Sequence, residues 1–343
     1  MFVGHALLAF ALAAGGARWT GRSPERSLSI GLAAGAFATV PDVDMLYALV
    51  GLLSGVGGTL DAVNAFWSAS THVHRIVTHS LVVGVAAALG FALWSRGLER
   101  EGAGIGALRT RPDALSGLAV LVALVAVAGL ASGSLGLVVM SAFVLAGLAV
   151  ATLAVEFGGL GPRTVLATAL LGLLSHPFGD LFTGEPPRLL YPFGARLLTD
   201  RVLLSPDSTL HLLGTFGVEL ATIWLAALVY CRLTHRSLRT HVRWRAALGV
   251  AYAGAALALP APTVDSSYRF VFSVLAVGAV GPAPLVGRAY RERRAIRGVG
   301  RTHGVGREFR TSAFGDEALT PLLTGLAAIT LAGISFAVVH SLT

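Results

Sequence analysis

Four short blocks of this sequence hold the residues able to do chemistry. They are Gly4-His5, Pro41-Asp42-Val43-Asp44, His74-Arg75-Ile76-Val77-Thr78-His79-Ser80, and Ser175-His176-Pro177-Phe178-Gly179-Asp180. Imidazole and carboxylate are the usual protein ligands of zinc, iron and manganese. His5, Asp42, Asp44, His79, His176 and Asp180 therefore read as ligands of a divalent metal ion, zinc first, with manganese or iron as alternatives. His74 is either a further ligand or a general base. Arg75 is either a bidentate partner for an anionic substrate or the counter-ion of a site aspartate. The set exceeds the needs of one tetrahedral zinc, so two metals, or one metal with an acid–base pair, both stand.

Taken singly, each block has a plainer role. A lone helix histidine is usually hydrogen-bonded, an Asp-x-Asp is commonly a turn, and a His-x-x-x-Asp pair can be structural. What joins the blocks is their setting, because ionisable groups among apolar helices are costly and so are functional candidates. Their depths also agree. Counting from Arg18, Arg26, Arg96 and Arg163 to His5, Asp42, His79 and His176, each block lies about 20–25 Å along a helix from a basic end. Four segments distant in sequence thus place His and Asp in one layer.

The elements that must position this layer are membrane helices. The chain has 343 residues, 55% hydrophobic and 13% charged, with a mean hydropathy of +0.74. That composition leaves too little polar surface for a soluble domain of this length. Apolar runs fall near 2–17, 28–52, 78–95, 114–132, 135–155, 164–177, 210–231, 246–262, 269–287 and 318–340. Most are long enough to cross a bilayer, and none shows strand-like alternation. The expected fold class is an all-α polytopic transmembrane bundle of about ten helices with both termini on the outer side. On that topology the cytoplasmic loops 17–27, 96–113, 156–163, 232–245 and 288–317 carry 21 of the 26 arginines, as the positive-inside rule requires.

Arginine supplies every one of the 26 basic residues, and the net charge is +8. Loop arginines that set orientation account for this charge better than nucleic-acid binding does. The basic loop 288–317 is either such a loop or a surface for anionic lipid headgroups or nucleic acid. Cys231 is the single cysteine, which excludes an intrachain disulfide and a cysteine metal site. The segment Phe2–Gly16 is expected to be a retained helix, since its arginines follow the apolar run where those of a signal peptide precede it. Two parts are expected: 1–209, carrying the His/Asp blocks, and 210–343, with further helices.

Local geometry carries its own expectations. Asp42 and Asp44 share a face if their stretch turns rather than continuing a helix. His176 and Asp180 share one if the helical turn runs past Pro177, with a new helix starting there as one way to tolerate the proline. Thr78 and Ser80 are expected to cap the following helix, leaving its N-terminus to hold an anionic group.

At these blocks the chain resembles the membrane-bound metal-dependent hydrolases, the YdjM-like family also described as LexA-binding inner-membrane-associated hydrolases. The family pattern is Gly-His, then Pro-Asp-x-Asp, then His-Arg-x-x-Thr-His-Ser, then Ser-His-x-x-x-Asp. All four stand here in that order, with Thr183-Gly184 and Tyr191-Pro192 similar to later family elements. The likeness runs over about residues 1–200. The chain departs from the pattern at Met45, where the family often has His, and at Ile76, where it often has Gly. The resemblance implies hydrolysis, and the depth of the layer implies an ester or phosphoester of a lipid-like substrate, with membrane lipids as the partner. A metal-ion or proton transporter using the same His/Asp layer is the alternative. An intramembrane zinc protease is excluded by the lack of His-Glu-x-x-His, and a serine nucleophile elbow is not evident at the cluster.

Overall fold

The computed structural model describes residues 2–52, 57–58, 61–62, 65, 74–99, 112–282 and 311–343. His72 and the arginines of the basic loop, from Arg288 to Arg310, lie outside the described residues. Among those described, all regular structure is helical. The α-helices are α1 Phe2–Trp19, α2 Pro24–Thr39, α3 Ala48–Leu52, α4 Leu81–Glu99, α5 Pro112–Glu156, α6 Pro162–Gly179, α7 Ser208–Leu233, α8 Leu238–His241, α9 Ala253–Ala258, α10 Tyr268–Val277 and α11 Thr311–Leu342. Short 3₁₀ segments join several of them, including Pro41–Tyr47 after α2 and Asp180–Phe182 after α6.

Among the described residues, five helical stretches are long and apolar enough to cross a membrane: Leu81–Leu98, Pro112–Glu156, Pro162–Phe182, Ser208–Leu233 and Ala318–Leu342. The helix α5 covers two of the expected apolar runs. At 45 residues it would measure about 68 Å if straight, far beyond a bilayer. Gly133, at φ 67° and ψ −159°, interrupts it, a backbone geometry only glycine adopts readily. The helix folds back there, and Gly129 packs against Leu137. The run 246–262 is instead a 3₁₀ segment, Trp244–Tyr252, followed by the six-residue α9. The run 269–287 holds only the ten-residue α10 and a 3₁₀ turn, Gly278–Val280, within its described part.

The chain divides into two compact units, residues 1–202 with 222–234, and residues 203–221 with 235–343. In the first, α1 and α2 form an antiparallel hairpin that packs on α6, and α4 packs on both α5 and α6. Small residues set these distances, as expected where backbones approach in lipid. A Cβ on Gly172 of α6 would lie 2.6 Å from the Ala34 carbonyl oxygen of α2. A row of rings, Phe37, Phe91 and Phe143, fills the centre, with centroids 5.7 and 6.4 Å apart. In the second unit, Phe270, Phe336 and Tyr252 form an aromatic core where α10 and the 3₁₀ segment pack on α11.

Candidate metal centre

Every chemical residue sits at a helix end. His5 lies in the first turn of α1. Pro41 cannot donate the hydrogen bond that would extend α2, so the chain tightens into the 3₁₀ segment holding Asp42 and Asp44. His74 to His79 form the turns leading into α4, and His176 and Asp180 lie at the close of α6. These ends meet in the first unit.

Asp44 is fully buried and its oxygens are committed. Oδ1 accepts from His74 Nδ1 at 2.9 Å, and Oδ2 accepts from the Thr78 hydroxyl at 2.7 Å and the Arg75 backbone N–H at 3.4 Å. Because Thr78 spends its proton on Asp44, its oxygen can only accept from His79 Nδ1, 2.9 Å away. His79 therefore carries its proton on Nδ1 and turns a lone pair outward on Nε2. His176 Nδ1 likewise donates to the Ala38 carbonyl at 2.6 Å, so in its neutral form this ring also has its lone pair on Nε2. The two Nε2 atoms face each other at 3.0 Å.

Carboxylate oxygens close on the same spot. Asp180 Oδ2 lies 3.2 Å from His79 Nε2 and 3.7 Å from His176 Nε2, and Asp42 Oδ1 lies 3.3 Å from His176 Nε2. Asp180 Oδ2 is buried and accepts no hydrogen bond. Two imidazole lone pairs and two carboxylates converging in a buried space repel one another unless a cation or a shared proton lies among them. The donor set suits zinc or another divalent ion, and outward donation from each histidine's second nitrogen is how ligand imidazoles are held. Ligand-capable atoms of His5, His176 and Asp180 lie within 4.8 Å of one another, as do those of Asp42, His74 and His79. The cluster thus has room for one ion or a pair.

The remaining residues hold these. His5 Nε2 pairs with Asp180 Oδ1 at 3.2 Å, and its ring lies 3.9 Å, centroid to centroid, from that of His176. The absence of a side chain at Gly179 permits this, since a Cβ there would stand 2.6 Å from His5 Nδ1. Arg75 Nη2 donates to Asp180 Oδ1 at 3.1 Å and to the Thr183 hydroxyl at 2.8 Å, while Nη1 donates to the Glu185 carbonyl at 3.1 Å. The guanidinium is thus the counter-ion of a site aspartate. Its backbone is left-handed, at φ 71°, a conformation held by bonds to Asp44 and from Arg188 N–H.

Capping differs from the sequence expectation. Ser80 alone caps α4, accepting from Val82 and Val83 N–H, while Leu81 N–H donates to the Leu189 carbonyl. The first amides of α4 are therefore used, and its N-terminus has no donors left for an anion. Thr78 serves the cluster instead. The helix α6 runs through Pro177 without restarting and tightens to 3₁₀ at Asp180, keeping His176 and Asp180 on one face. The Ala38 and Glu185 carbonyls carried no side-chain signal; only the fold makes them partners.

The sequence profile of the YdjM inner membrane protein family matches residues 1–262. The chain belongs to this family. The match passes through all four blocks and runs beyond the expected boundary at 209 into the 3₁₀ segment and α9. Membership and the apolar helices together make it an inner membrane protein. No curated protein and no solved structure matches the chain.

Proposed function

We propose that this family member is a metal-dependent hydrolase that cleaves an ester or phosphoester of a lipid-like substrate. The observation that carries the proposal is the pair of facing Nε2 lone pairs of His79 and His176, with Asp180 Oδ2 and Asp42 Oδ1 beside them. His79, His176, Asp180 and Asp42 would hold the ion. A divalent cation there supplies a Lewis acid that polarises the scissile oxygen and acidifies water.

The chain's own groups supply the rest. His74 donates Nδ1–H to Asp44, which makes its Nε2 the basic nitrogen, and its side chain is 16% exposed where His79 is 0%. That nitrogen takes a proton from the attacking water as the new bond to carbon or phosphorus forms. His74 then returns that proton to the departing alkoxide as its bond breaks, so one water is consumed per ester cleaved. Arg75 and His5 fix the Asp180 carboxylate from its Oδ1 side, and Asp44 fixes His74 and, through Thr78, His79. With both termini outside, as the distribution of arginines suggests, this layer would lie toward the outer leaflet.

The test is metal analysis of detergent-purified protein, with hydrolysis assayed on ester and phosphoester probes. The proposal expects one or two equivalents of divalent metal in the wild type, lost in His176→Ala and Asp180→Ala together with hydrolysis. Wild-type protein that cannot be loaded with zinc, manganese or iron would overturn it. Metal flux into proteoliposomes without hydrolysis would replace it with transport.

A further inference from the structure

A cleft of about 450 Å³ opens beside the candidate metal centre, within the first unit. One wall is Val43, Leu46 and Leu49 of the 3₁₀ segment and α3; the other is Ala146 and Val150 of α5. Asp42 lies along it and is the one ionisable residue among the described residues of its lining. Asp42 is also the partly exposed carboxylate of the cluster, 12% open where Asp44 and Asp180 are 0% and 2%. The cleft and the metal centre therefore share one residue.

We infer that this cleft receives the acyl chain of a membrane lipid and brings the adjoining ester or phosphoester to the Asp42 edge of the cluster. This rests on the hydrolase reading for the chemistry, but not for the chain binding. The polarity of the lining runs from a carboxylate to aliphatic side chains, which matches an amphiphile and offers a soluble polar substrate nothing to bond. The cleft is open at Leu46 and Leu49, which are 59% and 52% exposed. Its far wall belongs to the most apolar of the described helices long enough to cross a membrane, which favours lipid hydrocarbon as the medium at that opening. The volume falls in the range of ligand pockets. An anionic phosphate would be repelled by Asp42 alone, so the headgroup docks only after a cation has neutralised the cluster. The chain docks independently of it. Ala146 is then a specificity residue: a larger side chain there shortens the chain the cleft admits.

The test uses the full chain reconstituted in phosphatidylethanolamine–phosphatidylglycerol vesicles, stripped of metal and doped with a phosphatidylcholine bearing a terminal acyl diazirine. Photolabel is mapped by peptide mass spectrometry. Leu145 and Leu153, exposed on the same helix, report bulk lipid. The expected result is label concentrated on residues 39–49 and 146–150, competed by unlabelled lipid and lost in Ala146→Trp while the bulk label is unchanged. Val150→Phe is a milder filling should the tryptophan variant fail to fold. Label at the cleft equal to bulk, or unaffected by both fillings, overturns the inference. Turnover of long-chain phospholipid and of p-nitrophenyl butyrate or bis-p-nitrophenyl phosphate by the metal-loaded protein separates it from the hydrolase reading. Cleft label without turnover of any of them keeps chain binding and removes hydrolysis. Turnover of the soluble probes without cleft label does the reverse.

Discussion

Replacing Thr78 with valine tests the tautomer argument on which the metal centre depends. The two side chains are close in shape, so the change deletes one hydroxyl and little packing. That hydroxyl donates to Asp44 Oδ2 at 2.7 Å and accepts from His79 Nδ1 at 2.9 Å. Without it, the next acceptor for Nδ1–H is Asp44 Oδ2, 3.4 Å away. His79 can then swing toward Asp44 or shift its proton to Nε2, and either move withdraws the lone pair that faces His176. Losing such an outer partner of a ligand histidine weakens metal binding roughly 10–100-fold, or about 1.4–2.8 kcal/mol. The metal-stripped protein also leaves a buried donor and acceptor short of a bond, at a cost of about 1–3 kcal/mol. Competition against a chromophoric chelator measures the first effect and thermal unfolding the second. Thr78→Ser keeps the hydroxyl and should restore most of the affinity. A valine variant that binds metal as tightly as wild type would refute the assignment of His79 as an Nε2 ligand.

Three further outcomes follow from the same geometry. Asp180→Asn removes the charge that Arg75 and His5 share, so metal is lost and the fold weakens by about 3–5 kcal/mol, the cost of a broken buried pair, read by metal analysis and chemical unfolding. Gly179→Ala drives a methyl into the His5 ring and should destabilise by about 1–3 kcal/mol, with the penalty relieved in the Gly179→Ala/His5→Ala double variant, since the clash partner is gone. Ser80→Ala deletes the α4 cap and the bond to the Tyr191 carbonyl, costing about 0.5–2 kcal/mol in a melt, with chelator competition unchanged.

Much of the helical frame could be read from the apolar runs, because a membrane helix must satisfy its own backbone and hide few charges. The break after Thr39 was legible in Pro41, and the union of runs 114–132 and 135–155 about Gly133 falls at the gap between them. The runs 246–262 and 269–287 were less legible, since hydropathy measures apolar length and does not distinguish an α-helix from a 3₁₀ segment followed by a short helix. In the site, residue types pointed to Asp42, Asp44, His74, His79, His176 and Asp180, and the structure gathers them. Their division of labour was not legible. Whether Asp44 faces the cluster centre or braces His74 and Thr78 depends on a rotation within one 3₁₀ turn, and whether Thr78 or Ser80 caps α4 depends on which hydroxyl Asp44 captures.

The placement of every block at a helix end follows from one constraint. A histidine or carboxylate in mid-helix would have only side chains to satisfy it, in a medium where each unpaired polar group costs several kcal/mol. At an end, the backbone departs from the α-helical hydrogen-bond pattern and its groups become partners: the Ala38 carbonyl for His176, the Arg75 amide for Asp44, the Glu185 carbonyl for Arg75. The breaks at Pro41 and Asp180 and the left-handed turn at Arg75 are thus part of the site's wiring. They also explain why one cleft suffices. Four helix ends close over the cluster from the first unit, leaving it partly open at His74 and at the edge of Asp42, where α2 gives way to the 3₁₀ turn and an apolar cleft begins. On the proposed reading, a substrate entering there would have to satisfy both lipid-like walls and a charged end, a pairing that would select an amphiphile.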